Sequence, residues 1–148
     1  MSIVLITDFK VQITKHMQIT NLGKLHWLLS IEIKCDHECQ ALHLSQHLYI
    51  NSILWCYGLE DLKPVSIPMD TNIRLSTAQS PSTTTDFAKM HNIPYHEAVT
   101  GLLMYAALGT CPDITFTVQT IFHFMKNPGP IHWDAIKHVF CYLKGTMD

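Results

Sequence analysis

Tyr95-His96-Glu97-Ala98-Val99-Thr100-Gly101-Leu102-Leu103-Met104-Tyr105-Ala106 sets Tyr95, Val99, Leu102, Leu103 and Ala106 on one face at helical spacing. Downstream, Ile114, Val118, Ile121, Phe122 and Met125 trace a second apolar face. Pro112 stands near its first turn, where a missing N–H costs no helical bond. Asn127-Pro128-Gly129-Pro130 then breaks the chain, and Trp133, Ile136, Val139, Phe140 and Leu143 define a last helix ended by Gly145. Amphipathic helices joined by short breaks predict a helical bundle for the second half.

Upstream the period changes. Leu25, Trp27, Leu29, Ile31 and Ile33 alternate with His26, Ser30, Glu32 and Lys34, and a polar stretch leads on to Leu42 and Leu44, which predicts a β-hairpin. Ile50, Ile53, Leu54 and Tyr57 return to helical spacing, with Gly58 as the stop. Phe9, Ile13 and Met17 suggest a short helix ending near Asn21 and Gly23. From Glu60 to Pro94, prolines and the run Ser80-Pro81-Ser82-Thr83-Thr84-Thr85 read as a long, mobile connector. The expected class is α+β, in segments 1–46, 47–59, 60–94 and 95–148.

Of 148 residues, 47% are apolar and 15% charged, a balance that builds a core and excludes a disordered chain. The formal charge of −2 does not favour a surface for polyanions. Beneath it lies an uneven ratio, since Arg74 is the single arginine against nine lysines and ten histidines. Five irregularly spaced cysteines and no leading signal predict free thiols and an intracellular protein, cytoplasmic or nuclear. The early apolar run Ile3 to Ile6 is far short of the roughly 20 residues that cross a bilayer.

Asn21-Leu22-Gly23-Lys24-Leu25-His26-Trp27-Leu28-Leu29-Ser30-Ile31-Glu32-Ile33 resembles the pattern D-L-G-x-L-x-(aromatic)-x-L-G-I-E-I of copia-type retrotransposon reverse transcriptases. Further signatures follow in the family's order: Leu44-Ser45-Gln46 with Tyr49-Ile50, Pro64-Val65 with Pro68-Met69, and Met104-Tyr105 with Thr110-Cys111-Pro112-Asp113-Ile114. His132-Trp133 with Tyr142-Leu143-Lys144-Gly145-Thr146 completes the series, so the resemblance runs from about Phe9 to Thr146.

That resemblance implies the part of the Pol polyprotein after the catalytic Tyr-x-Asp-Asp motif and before ribonuclease H. The hairpin would be a palm remnant carrying a primer-grip-like surface of Trp27, Leu29, Ile31 and Gln46. Residues 47–59 would be the first thumb helix, and the helices from Tyr95 the thumb and connection. Lys137 and Lys144 are candidates for contact with the backbone of an RNA–DNA or DNA primer-template. Such contacts position without reading sequence.

Polymerisation needs two Mg2+ ions on a carboxylate cluster. The resemblance places the paired aspartates just ahead of Ile3, where this chain has Met1-Ser2, so no catalytic residue is expected. Asp8 reads as a helix cap and Glu60-Asp61 as a solvated turn.

Departures from the pattern fall on arginines. Cys111, His96, His123, His138 and Cys141 occupy positions usually basic in the family, as do His47, Trp55 and Cys56. Single transitions at CpG steps turn arginine codons into cysteine, histidine or tryptophan codons, which marks a decaying relic. Each lost guanidinium removes counterion release, so weak primer-template binding is expected. The stretch Val99 to Met104 is also one residue longer than the family spacing, which would rotate one half of a helix by about 100° against the other. A bulge there is the expected accommodation.

Other constellations compete. Cys35, Cys39, His43 and His47 recur every four residues, a zinc-like set, but that spacing suits a helix and this stretch reads as a hairpin. Cys111, Cys141, His132 and His138 include the types of a Cys-His nucleophile, without a spacing that selects a pair. Trp27, Trp133 and Tyr142 could stack on bases, although each lies on an apolar periodic face. A different class of function, a retained non-catalytic module binding nucleic acid or a protein, is the alternative.

Overall fold

The computed structural model describes residues 3–147; Met1, Ser2 and Asp148, at the ends of the expected first and last segments, lie outside them. In chain order come α1 (Ile3–His16), β1 (Trp27–Leu28), β2 (Ile31–Asp36), β3 (Ala41–Ser45), α2 (His47–Cys56) and α3 (Thr84–Met90). A π-helical segment, Glu97–Leu103, runs directly into α4 (Met104–Gly109), followed by α5 (Thr115–Phe122) and α6 (Pro130–Gly145). The class is α+β, with a three-stranded antiparallel sheet in the order β1-β2-β3 preceding the helical bundle.

The core belongs to the helices. Ile50, Ile53 and Leu54 of α2 meet Ala98, Val99 and Leu103 of the π segment, Val118 and Ile121 of α5, and Ile136, Val139, Phe140 and Leu143 of α6. Burying each of the large side chains contributes about 2 kcal/mol. The sequence-predicted faces are therefore met, except that Phe122 remains 44% exposed at the end of α5. α2 stops as its glycine predicts: Gly58 takes φ 62°, and Gly58 and Leu59 N–H donate to the Trp55 and Leu54 carbonyls. α1 begins at Ile3, ahead of the expected Phe9, and its residues 4–16 take no part in the core.

The π segment follows from residue spacing. Tyr95, Ala98 and Val99 form one buried triplet, and Leu103, Ala106 and Ala107 repeat it eight residues later. Two α turns take about 7.2 residues, so the second triplet would rotate about 80° away from the core in a regular helix. The wider π turns absorb that surplus, and Leu103, rather than Leu102, becomes fully buried. This is the bulge expected from the one-residue excess. Gly101 is exposed, and its deletion brings the triplets to a spacing of seven. The shortened chain is expected to gain about 1–2 kcal/mol, one helical hydrogen bond plus the glycine penalty. A urea midpoint that falls on deletion would count against this reading.

The hairpin is present, but not as one alternating strand. Leu28 pairs with Ile31 and Trp27 with Glu32, so Leu29 and Ser30 form a two-residue turn with φ of 50° and 63°. Positive φ at both positions marks the mirror-image turn that suits tight hairpins and favours glycine. The turn resets the alternation: Leu28, Ile31, Ile33, Leu42 and Leu44 share one face, while Trp27, Glu32, Lys34 and His43 share the other. The family pattern has glycine where this chain has Ser30. Ser30→Gly is expected to stabilise the hairpin by about 1 kcal/mol by relieving the left-handed backbone, read as a higher melting temperature.

The connector is more ordered than its composition suggests. The Ser/Thr run supplies Thr83 as N-cap of α3, its hydroxyl accepting from the Asp86 N–H at 3.3 Å. A 3-10 turn, Thr77–Gln79, precedes it. Among the described residues no helix is long and apolar enough to cross a membrane.

Candidate functional site

Residues from separate sequence signatures meet at three junctions. The first joins the start of α2 to the end of α4. Gln46, 2% exposed, accepts a hydrogen bond at Oε1 from Thr110 Oγ1 at 2.9 Å. Gly109 makes room for that amide, since a methyl there would lie 2.5 Å from Gln46 Oε1. The amide nitrogen Nε2 is left buried without a partner among the described residues, a cost of about 1–3 kcal/mol.

At the second junction the Tyr142 hydroxyl of α6 donates to Asp113 Oδ2 beside the start of α5. The bond to Asp113 raises the Tyr142 pKa, so the phenol stays protonated.

The third junction is a seam, with the connector running antiparallel along α6. Lys144 Nζ donates to the carbonyls of Glu60 and Leu62, the latter at 2.9 Å. One turn back, Val65 N–H donates to the Cys141 carbonyl at 3.4 Å, and His138 Nε2 meets the Ile67 carbonyl at 3.0 Å. At the far end His132 Nε2 lies 3.2 Å from the Ser76 carbonyl. Gly145 lets the Pro64-Val65 step pass close, because a methyl there would sit 3.1 Å from Pro64 Cβ. These are backbone and packing contacts, the kind that fix a chain's path.

The predicted site residues do not share a surface. Trp27 and Ile31 fall on opposite faces of the sheet, Leu29 sits 76% exposed in the turn, and Gln46 is buried in the bundle. Lys144 already donates to the connector, and Lys137 pairs with Asp134 one turn away at 2.6 Å. An exposed pair of that kind is worth little. Cys35 pairs with Leu42 on one sheet face and His43 with Lys34 on the other, so the zinc-like set diverges. Among the described residues no three His, Cys, Asp or Glu side chains converge as a metal site.

Cys111 lies beside Thr110 at 3.5 Å, whereas Cys141 and His138 belong to the α6 seam. Burial pushes the Cys141 thiol up, away from the reactive thiolate. Trp133 packs near the Tyr57 ring at 6.2 Å instead of presenting a free stacking face. Asp36 accepts from the Glu38 and Cys39 N–H groups in the hairpin turn, which with Cys39 lowers its pKa. Asp86 is held by Thr83, Asp113 by Tyr142 and Glu32 by Lys34. Each of these four carboxylates serves local structure.

The positions read as replaced arginines lie mostly at the surface: His47, Trp55, Cys56, His96 and His123 are exposed, and Cys111, His138 and Cys141 are half-buried. Periodicity did not single out the Gln46–Gly109 contact or the seam. The available signals were glycines at the ends of helices, where only a close approach explains the missing side chain.

No protein-family model matches the chain, and no solved structure does. Among curated proteins it is 36% identical over 142 residues to the retrovirus-related Pol polyprotein from transposon TNT 1-94 of Nicotiana tabacum, covering 96% of this chain and 11% of that protein. It is 35% identical over 124 residues to the Pol polyprotein from transposon RE2 of Arabidopsis thaliana, covering 84% of this chain and 8% of that protein. An uncharacterised mitochondrial protein of Arabidopsis thaliana is 33% identical over 138 residues, 92% of this chain and 52% of its own length. The chain thus spans about a tenth of the Pol polyproteins it matches.

Proposed function

This chain is homologous, over nearly its whole length, to a segment of the retrovirus-related Pol polyproteins of copia-type plant transposons, and from that premise we propose that it is a non-catalytic relic of their reverse transcriptase. The sheet is the palm remnant, and the helices from Tyr95 form thumb and connection. What supports the reading most is the meeting of signature residues at structural junctions: Gln46 with Gly109 and Thr110, Asp113 with Tyr142, and Pro64-Val65 with Lys144 and Gly145. The chain keeps what holds such a segment together, and Asp36, Asp86, Asp113 and Glu32 are engaged in a turn, a cap and pairs.

The sheet adds a second support. Leu28, Leu42 and Leu44 of its apolar face are about half exposed, as a face made to pack on further strands would be. The test is to co-express the chain with the segment preceding its match in the Nicotiana tabacum polyprotein. The amides of residues 31–45 are expected to gain exchange protection, and primer extension with Mg2+ to be absent from the chain alone. Extension by the chain alone, or no added protection in the pair, would overturn the proposal.

A second reading, a retained binding module, has one observation in its favour. The buried core closes within residues 49–147 and takes nothing from the sheet.

A further inference from the structure

His132 sits in the first turn of α6 with no exposed surface. Its ring stacks on Phe124, with centroids 4.2 Å apart and planes 10° from parallel. The Gly129 N–H can only donate, and it meets Nδ1 at 2.8 Å, so Nδ1 is unprotonated. The Ser76 carbonyl can only accept, and it lies 3.2 Å from Nε2, so Nε2 carries the proton. The two partners fix one neutral tautomer, which caps the helix start and ties the connector to it at once.

We infer that His132 is an acid-sensitive latch, holding the connector against the start of α6 while neutral and releasing it on protonation. A proton on Nδ1 would face the Gly129 N–H, donor against donor, in a site closed to water. The segment it holds is self-braced: Ser76 N–H donates to Gln79 Oε1 at 3.0 Å, and Gln79 Nε2 donates to the Arg74 carbonyl at 3.0 Å. Loss of the His132 bond therefore frees a unit and not a single residue.

The titratable side chains near the His132 partners Ser76 and Phe124 in the chain are Arg74 on the connector and His123 and Lys126 beyond α5, and α3, which packs against α6, carries Asp86 and Lys89. Asp134 and Lys137 stand on α6 itself. Asp86 pairs with Lys89 and Asp134 with Lys137, and none of these groups perturbs the ring. Burial lowers the His132 pKa from its ordinary 6.5, against a smaller opposing effect of the Ser76 carbonyl. The unfolded or released ring then binds the proton more readily than the latched one. The contribution is complete above about 6.5 and is lost as pH falls below it.

Hydrogen exchange at the Ser76, Gln79 and Ser80 amides, corrected for intrinsic rates, tests this against residues 135–143. Between pH 6.5 and 5.5 connector protection is expected to fall up to about five-fold while α6 is unchanged, the limit for one linked proton on a released ring of ordinary pKa. His132→Gln keeps an acceptor for the Gly129 N–H without a titrating ring, so its connector protection should be flat with pH. Flat protection in the unmodified chain, equal loss in connector and α6, or unchanged pH dependence in the glutamine variant would each overturn the latch.

Discussion

Gly129→Ala is expected to destabilise the chain by about 2–3 kcal/mol, among the larger effects available from a single methyl group. Gly129 is buried between the connector and α6, and a Cβ there would fall inside 3.0 Å of the Gln79 carbonyl oxygen. That neighbour is backbone, so the connector itself must move, and with it the Ser76 carbonyl that His132 holds. The backbone angle is not the obstacle, because Gly129 takes an extended φ of −102°. Gly109→Ala should cost less, since the nearest atoms to a methyl there belong to the Gln46 side chain and not to backbone. Gly101 has open space around its position. Urea unfolding of the Gly129 and Gly101 alanine variants checks this, and equal midpoints for the two would contradict the seam.

Placing arginine at four positions is expected to raise primer-template affinity on the order of 100-fold at 0.15 M salt. The positions are Trp55, Cys56, His96 and His123, all exposed, so each change should leave stability within about 0.5 kcal/mol. Four added charges take the formal charge from −2 to +2. Each phosphate neutralised contributes a slope of about −0.9 in log affinity against log salt, so three engaged positions steepen it by about 2.7. A quadruple variant whose salt dependence matches that of the unmodified chain would show that these positions do not face nucleic acid.

The helical faces were legible because burial imposes a period of 3.6, and Ile50, Ile53, Leu54, Ile136, Val139 and Leu143 obey it. The π segment was legible as one residue more than the family spacing in the stretch Val99 to Met104. The turn at Leu29 and Ser30 was not, because neither residue is the glycine or asparagine that marks such turns, and the alternation around it looked unbroken. α3 was hidden in the Ser/Thr run, where Thr83 is a cap and not part of a featureless loop. The α6 seam could not be read locally, since it joins residues as far apart as Ile67 and His138 through backbone carbonyls, which carry no sequence signal.

We propose that this segment has kept the joints of a Pol domain and lost its hold on nucleic acid. Fluorescence anisotropy of a labelled RNA–DNA primer-template, titrated with the unmodified chain at pH 7.5 across a salt series, tests it most directly. No saturable rise is predicted up to about 100 µM, the weak end of non-specific duplex binding. Tight binding that weakens steeply with salt would contradict the account and establish a working clamp.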